Sequence, residues 1–89
     1  MASIFTKIIN REIPSDIVYE QDDLIVIKDI NPQAKTHLLI IPKKEIATIN
    51  DLESEDRELI AEMFFIAKKI ASDLDISEGY KLKFNVGEK

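Results

Sequence analysis

The chain carries one histidine, His37, and no cysteine. Imidazole is the side chain best suited to moving protons near neutral pH, so His37 is the first candidate for chemistry. It follows Thr36 and opens the apolar run Leu38-Leu39-Ile40-Ile41. Two readings stay open: a strand-end histidine with a satisfied hydrogen bond, or an acid–base group. Asp29 is the second candidate. It interrupts an apolar stretch between Lys28 and Ile30, where a carboxylate must be exposed or hydrogen-bonded. That is compatible with a structural role, or with accepting hydrogen bonds from the hydroxyls of a ligand. Asn85 adds a polar group late in the chain, and Asn31 begins a turn. Ile4, Phe5 and Ile8 read most simply as core, but a partly open apolar wall of this kind suits a flat base.

Other chemistry is excluded by residue type. Without cysteine there is no disulfide framework, thiol nucleophile or thiolate metal site. One histidine rules out a His-rich metal site within one chain. The two glycines, Gly79 and Gly87, are isolated, so no glycine-rich phosphate loop is present. Asp22-Asp23 and the Glu53, Glu55, Asp56 group fall at a turn and a helix start, where solvation and capping account for them.

The elements that must position these residues follow from patterning. Ser3 is a reasonable N-cap for a short helix over residues 4–10, with Ile4, Phe5, Ile8 and Ile9 on its apolar side. Pro14 interrupts it. Residues 17–20 predict a short strand. After the polar turn Gln21-Asp22-Asp23, residues 24–30 are β-branched and apolar and predict a central strand. Asn31-Pro32 turns the chain into a strand over residues 37–41, ended by Pro42, which gives an antiparallel pair. Ser54 is the expected N-cap of a long helix. Its apolar stripe is Leu59, Ile60, Met63, Phe64, Ala67, Ile70, Ala71 and Leu74, which should face a sheet. Lys68 and Lys69 fall late in it, and Gly79 sits in the turn after it. Tyr80, Leu82 and Phe84 alternate with Lys81, Lys83 and Asn85, so residues 80–86 predict a half-buried strand.

With 89 residues there is room for a single domain. The 45% hydrophobic content excludes disorder by low hydrophobicity. A net charge of −5 argues against nucleic acid or an anionic membrane as partner, although a compact basic pocket could still take one phosphate. No apolar run approaches the ~18 residues of a spanning helix, and the N-terminus lacks the pattern of a secretory signal. The expectation is a cytoplasmic α+β chain. A small sheet whose last strand ends near Lys89 would leave an open edge, which favours self-association.

Residues 4–14, Ile-Phe-Thr-Lys-Ile-Ile-Asn-Arg-Glu-Ile-Pro, resemble the opening of the histidine triad (HIT) proteins, Hint-like branch. Asp29-Ile30-Asn31-Pro32-Gln33-Ala34, followed by residues 36–44, Thr-His-Leu-Leu-Ile-Ile-Pro-Lys-Lys, is similar to the central signature of that family. Gly79-Tyr80 and Asn85-Val86-Gly87 resemble the segment that leads to its catalytic motif.

The resemblance implies a HIT-like antiparallel sheet with one long helix and a short N-terminal helix, assembled as a homodimer. It implies purine nucleotide binding, and hydrolysis or transfer at the α-phosphate as in nucleoside phosphoramidases, with no cofactor. Family members attack phosphorus with the middle histidine of a His-x-His-x-His stretch, forming a nucleotidyl-histidine. Carried onto this sequence, the nucleotide-binding positions are Ile4, Phe5, Ile8, Ile27, Lys28, Asp29, Ile30 and Asn85. The first four wall the base and ribose, Asp29 takes the ribose hydroxyls, and Asn85 lies near the phosphate and leaving group. His37 matches an upstream histidine that supports the triad without attacking.

The departures matter as much. Glu45 stands where relatives commonly have a second histidine. Ser3 and Thr6 stand where zinc-binding relatives have cysteine, so no metal is expected. The triad itself is absent, and the chain reads as a HIT domain cut before its last, catalytic strand. It is expected to be inactive as given, with weak or lost nucleotide binding. The alternative is a non-catalytic, self-associating α+β module.

Overall fold

The computed structural model describes residues 4–12, 16–29 and 35–84. The chain divides into two compact units, Met1–Glu45 and Ile46–Lys89.

The first unit is a short helix with a three-stranded sheet. Helix α1 spans Ile4–Ile9 and the strands are β1 Ile17–Glu20, β2 Leu24–Lys28 and β3 Leu38–Pro42. The sheet order is β1-β2-β3 with both pairings antiparallel, so β2 is the central strand, as its composition predicts. Leu24, Ile25 and Val26 are fully inaccessible and Ile27 nearly so. Because side chains alternate along a strand, burial of all four means that both faces of β2 are covered. One face is a defined cluster: Ile25 and Ile27 with Ile41, capped by Ile8 of α1, with Ile9 and Leu39 packed beside them.

Polar contacts fix the ends. The β1–β2 turn is closed by the Gln21 N–H donating to the Leu24 carbonyl. A side-chain relay reinforces it: the Tyr19 hydroxyl donates to Gln21 at 2.7 Å, and the Gln21 amide donates to Asp23 at 2.7 Å. A register shift between Ile17 and Tyr19 bulges β1, and Ile17 and Val18 are exposed on it. Pro42 closes the β2–β3 ladder opposite Leu24 on the edge strand β3, where a missing N–H is tolerated. Helix α1 ends in a Schellman motif. The Glu12 N–H donates to the Lys7 carbonyl and the Arg11 N–H to that of Ile8, with Arg11 in the left-handed region at φ 64°. From there the Arg11 guanidinium pairs with Glu20, whose other oxygen takes Lys43 at 2.8 Å.

The second unit begins with two single 3-10 turns, Ile49–Asp51 and Ser54–Asp56, and continues as helix α2, Arg57–Asp73. Ser54 is not the N-cap of α2. It lies inside the second 3-10 turn, and Asp56 occupies the capping position. The buried Asp56 carboxylate instead reaches back to accept the Glu53 N–H at 2.9 Å.

The apolar stripe of α2 also needs correcting. Its buried residues are Ile66, Ile70 and Ala71. Ile66 was outside the predicted set, whereas Phe64 and Leu74, which were inside it, are exposed. The helix has adjacent apolar residues along much of its length, so three- and four-residue spacing alone does not select one seam. Phe64 turns instead to Phe84, ring centroids 5.8 Å apart. On the polar side Lys69 pairs with Asp73 at 3.2 Å. Helix α2 ends in a second Schellman motif, with the Ile76 N–H on the Ala71 carbonyl and Asp75 at φ 59°. Asp75, not Gly79, therefore supplies the left-handed residue.

Residues 80–84 are not a strand. Tyr80, Leu82 and Phe84 are all about half exposed. Alternation gives a segment two faces, but a strand also requires a hydrogen-bonded neighbour, and among the described residues the sheet consists of β1, β2 and β3. Residues 85 and 86 of that predicted strand lie outside the described residues.

Lys43, and after it Arg11, hydrogen-bond the Glu20 carboxylate and hold its pKa below the ordinary carboxylate range. A depressed folded-state pKa stabilises the fold fully above the unfolded value, and that contribution disappears as pH falls through the folded value. Glu20→Gln should therefore lower the melting temperature at pH 7. The gap from wild type should narrow as pH drops below about 4.5 and shrink in high salt. Thermal melts across pH 2–8 test this; a gap that stays constant with pH would refute it.

Candidate functional site

The site candidates meet at one end of the β2–β3 ladder. The register runs without a break from Leu24↔Pro42 to Lys28↔Leu38. One step further the Asp29 N–H donates to the His37 carbonyl at 3.0 Å. Asp29 and His37 are thus the next rung. Their side chains meet as well, His37 Nε2 lying 3.4 Å from Asp29 Oδ2. Both are partly covered, with side-chain exposures of 20% for Asp29 and 30% for His37.

Strand alternation places this rung on a particular face. Ile25 and Ile27 on β2 oppose Ile41 and Leu39 on β3. Two residues on, in the same phase, come Asp29 and His37. The face therefore reads as two aliphatic rungs followed by one carboxylate–imidazole rung. Ile8 of α1 closes over the aliphatic part. The arrangement sets a partly covered carboxylate and imidazole at the end of a buried aliphatic cluster. A carboxylate there is an acceptor for hydroxyl or amine donors, and the imidazole beside it can donate or carry a proton.

Of the residues singled out from sequence, the structure brings together Ile8, Ile27, Asp29 and His37. Lys28 is exposed and on the opposite pleat, in phase with Leu24 and Val26, so it does not share their face. Ile30 and Asn85 lie outside the described residues, as do the side chains of Ile4 and Phe5. Among the described residues, no group of three or more His, Asp or Glu side chains could hold a metal ion. Glu45 is exposed, and Ser3 lies outside the described residues.

Sequence reasoning weighed Asp29 and His37 separately and missed their pairing. The signal was available. Once the two aliphatic runs are registered so that Ile25 meets Ile41, the same register carried to its end sets Asp29 against His37. It also missed the Arg11–Glu20–Lys43 cluster, which joins residues far apart in sequence and had no local pattern to reveal it.

The chain as a whole is similar to known proteins. Residues 2–89 match the family model described as scavenger mRNA decapping enzyme C-term binding. The purine nucleoside phosphoramidase of Escherichia coli strain K12 is 50% identical over 84 residues, covering 93% of this chain and 71% of that protein. Among solved structures, a HIT family hydrolase from Legionella pneumophila Philadelphia 1 superposes with a TM-score of 0.93 at 50% identity, covering 97% of this chain and 78% of the other. A histidine triad nucleotide-binding protein from Candida albicans superposes with a TM-score of 0.77 at 30% identity, covering 92% of this chain and 55% of the other. An α+β fold with its antiparallel sheet and main helix, matched over nearly the whole chain at this identity, leaves one conclusion: the chain belongs to the histidine triad family.

Proposed function

We propose that the chain binds a purine nucleotide, with the base and ribose along the apolar face that holds Ile8 and Ile27 and the ribose hydroxyls on Asp29. The observation that carries this reading is the continuation of the two aliphatic rungs into the Asp29–His37 rung. A nucleoside has the matching order of chemistry, a flat apolar base followed by a diol that donates two hydrogen bonds. Ile4, Phe5, Ile30 and Asn85 complete the proposed set, with Lys28 assigned only the strand end, since its side chain is on the opposite pleat. The Candida relative is named for nucleotide binding and the E. coli relative for phosphoramidase activity, and both names fit.

Hydrogen bonds to an ionised carboxylate contribute about 1.5–3 kcal/mol each. Asp29→Ala should therefore weaken AMP binding at least tenfold, to below detection if the wild type is already weak. A ¹⁵N-amide NMR titration measures this, and an unchanged isotherm would disprove the ribose role.

For catalysis the reading is different. The family's nucleophile is an imidazole, and the 89 residues contain one, His37, which stands across from Asp29. We expect no hydrolysis of adenosine 5′-phosphoramidate above background by the purified 89-residue polypeptide. Turnover by material of confirmed mass would overturn this.

The same reading includes a homodimer and a cytoplasmic location, with no nucleic acid or membrane partner. No helix among the described residues is long and apolar enough to cross a membrane, and the net charge of −5 repels polyanions. Self-association is supported by exposed apolar side chains in the second unit: Phe64, Phe65, Leu74, Tyr80, Leu82 and Phe84. So many exposed large apolar groups mark interaction surfaces. Sedimentation velocity should show a dimer at micromolar concentration. A clean monomer at the highest attainable concentration would count against it. This observation also favours a second reading, a non-catalytic self-associating module, should nucleotide not bind.

A further inference from the structure

We propose that His37 is a positioning residue for Asp29, and that through Asp29 it sets discrimination between ribose and 2′-deoxyribose. The inference rests on the nucleotide reading above and gives His37 a role that a supporting place beside catalytic histidines does not.

Asp29 lies one residue beyond the last pair of the β2–β3 ladder. Its main chain is tied by the N–H bond to the His37 carbonyl at 3.0 Å. A carboxylate that must meet two adjacent hydroxyls also needs its plane fixed. His37 Nε2, 3.4 Å from Oδ2, supplies that second restraint, so one residue orients both the backbone and the side chain of Asp29. The contact does not exhaust the acceptor, because each carboxylate oxygen has two lone-pair directions. A stabilising role alone explains the pair poorly, since partly exposed ion pairs contribute little to stability. Holding an acceptor in its bound orientation removes an ordering cost otherwise met on binding, which amounts to roughly three- to tenfold in affinity per side chain.

The test compares AMP with 2′-deoxy-AMP by NMR titration of the 89-residue chain. The wild type should prefer AMP. His37→Ala should weaken AMP by roughly three- to tenfold and 2′-deoxy-AMP much less, so the preference collapses. His37→Gln, which retains a donor, should restore the preference, whereas His37→Met, similar in size without a donor, should not. The Gln and Met pair decides the matter even if the alanine variant fails to fold. A histidine with a purely structural role would weaken both ligands equally or neither, and either result overturns the proposal. A wild type that binds neither nucleotide, or binds both alike, removes the ribose role of Asp29 together with this inference. A wild type that discriminates while all three variants keep its ratio removes the inference alone.

Discussion

The register of β2 against β3 is the constraint on which the rest of the first unit depends. Five consecutive pairs, from Leu24↔Pro42 to Lys28↔Leu38, are held without interruption. A slip of one residue would turn every side chain of a strand to the opposite face. For β2 this would exchange Ile25 and Ile27 for Leu24 and Val26 under Ile8, and would take Asp29 away from His37. The slip would also turn the exposed Lys28 onto the face of the aliphatic cluster, where a charge is costly, so the hydrophobic core and the polar rung are fixed together. The geometry that fills the core also places the only histidine of the sequence on the same rung as the Asp29 carboxylate.

The charged groups of this unit are segregated along the sheet. Glu20 lies at the end where Leu24 meets Pro42, and it joins the second residue after α1, the end of β1 and the residue after β3 through Arg11 and Lys43. Asp29 and His37 lie at the other end. Arg11 is held at φ 64° to do this, a conformation that costs a residue with a Cβ about 1 kcal/mol. The guanidinium contact with Glu20 and the Schellman hydrogen bonds offset that strain. The result anchors α1 across the aliphatic rungs by its C-terminal end, leaving the opposite end of the sheet to the carboxylate–imidazole pair.

What was legible in the sequence divides along physical lines. The three strands, the short first helix and the long second helix came from local signals: β-branched runs, the Asn31-Pro32 turn, and apolar spacing from Leu59 onward. The errors arose where local signals are degenerate or where the partner is remote. Alternation over residues 80–84 resembles a strand, yet nothing local specifies a neighbour to pair with. Ser54 is the conventional capping residue, but a 3-10 turn over Ser54–Asp56 precedes α2 and moves the capping position to Asp56. Arg11 and Asp75 hide two helix ends because neither is glycine. For the candidate site, residue type and the family resemblance single out Ile8, Ile27, Asp29 and His37 one by one, and the Asp29–His37 rung follows only from the register. Lys28, adjacent to Asp29 in sequence, is on the other pleat, which linear proximity cannot convey.

The position of His37 bears on what the 89 residues can do chemically. A nucleophilic imidazole needs one ring nitrogen aimed at phosphorus while the other is held as a donor. In His37 it is Nε2 that faces the Asp29 carboxylate. Attack would then fall to Nδ1, the more hindered nitrogen beside the side chain's own attachment to the backbone. The same carboxylate is the proposed acceptor for ribose, so a nucleotide bound there would engage the group that orients the ring. On the proposed reading His37 serves binding, with Nε2 turned to the Asp29 carboxylate rather than to phosphorus, and the register that pairs β2 with β3 fixes that arrangement.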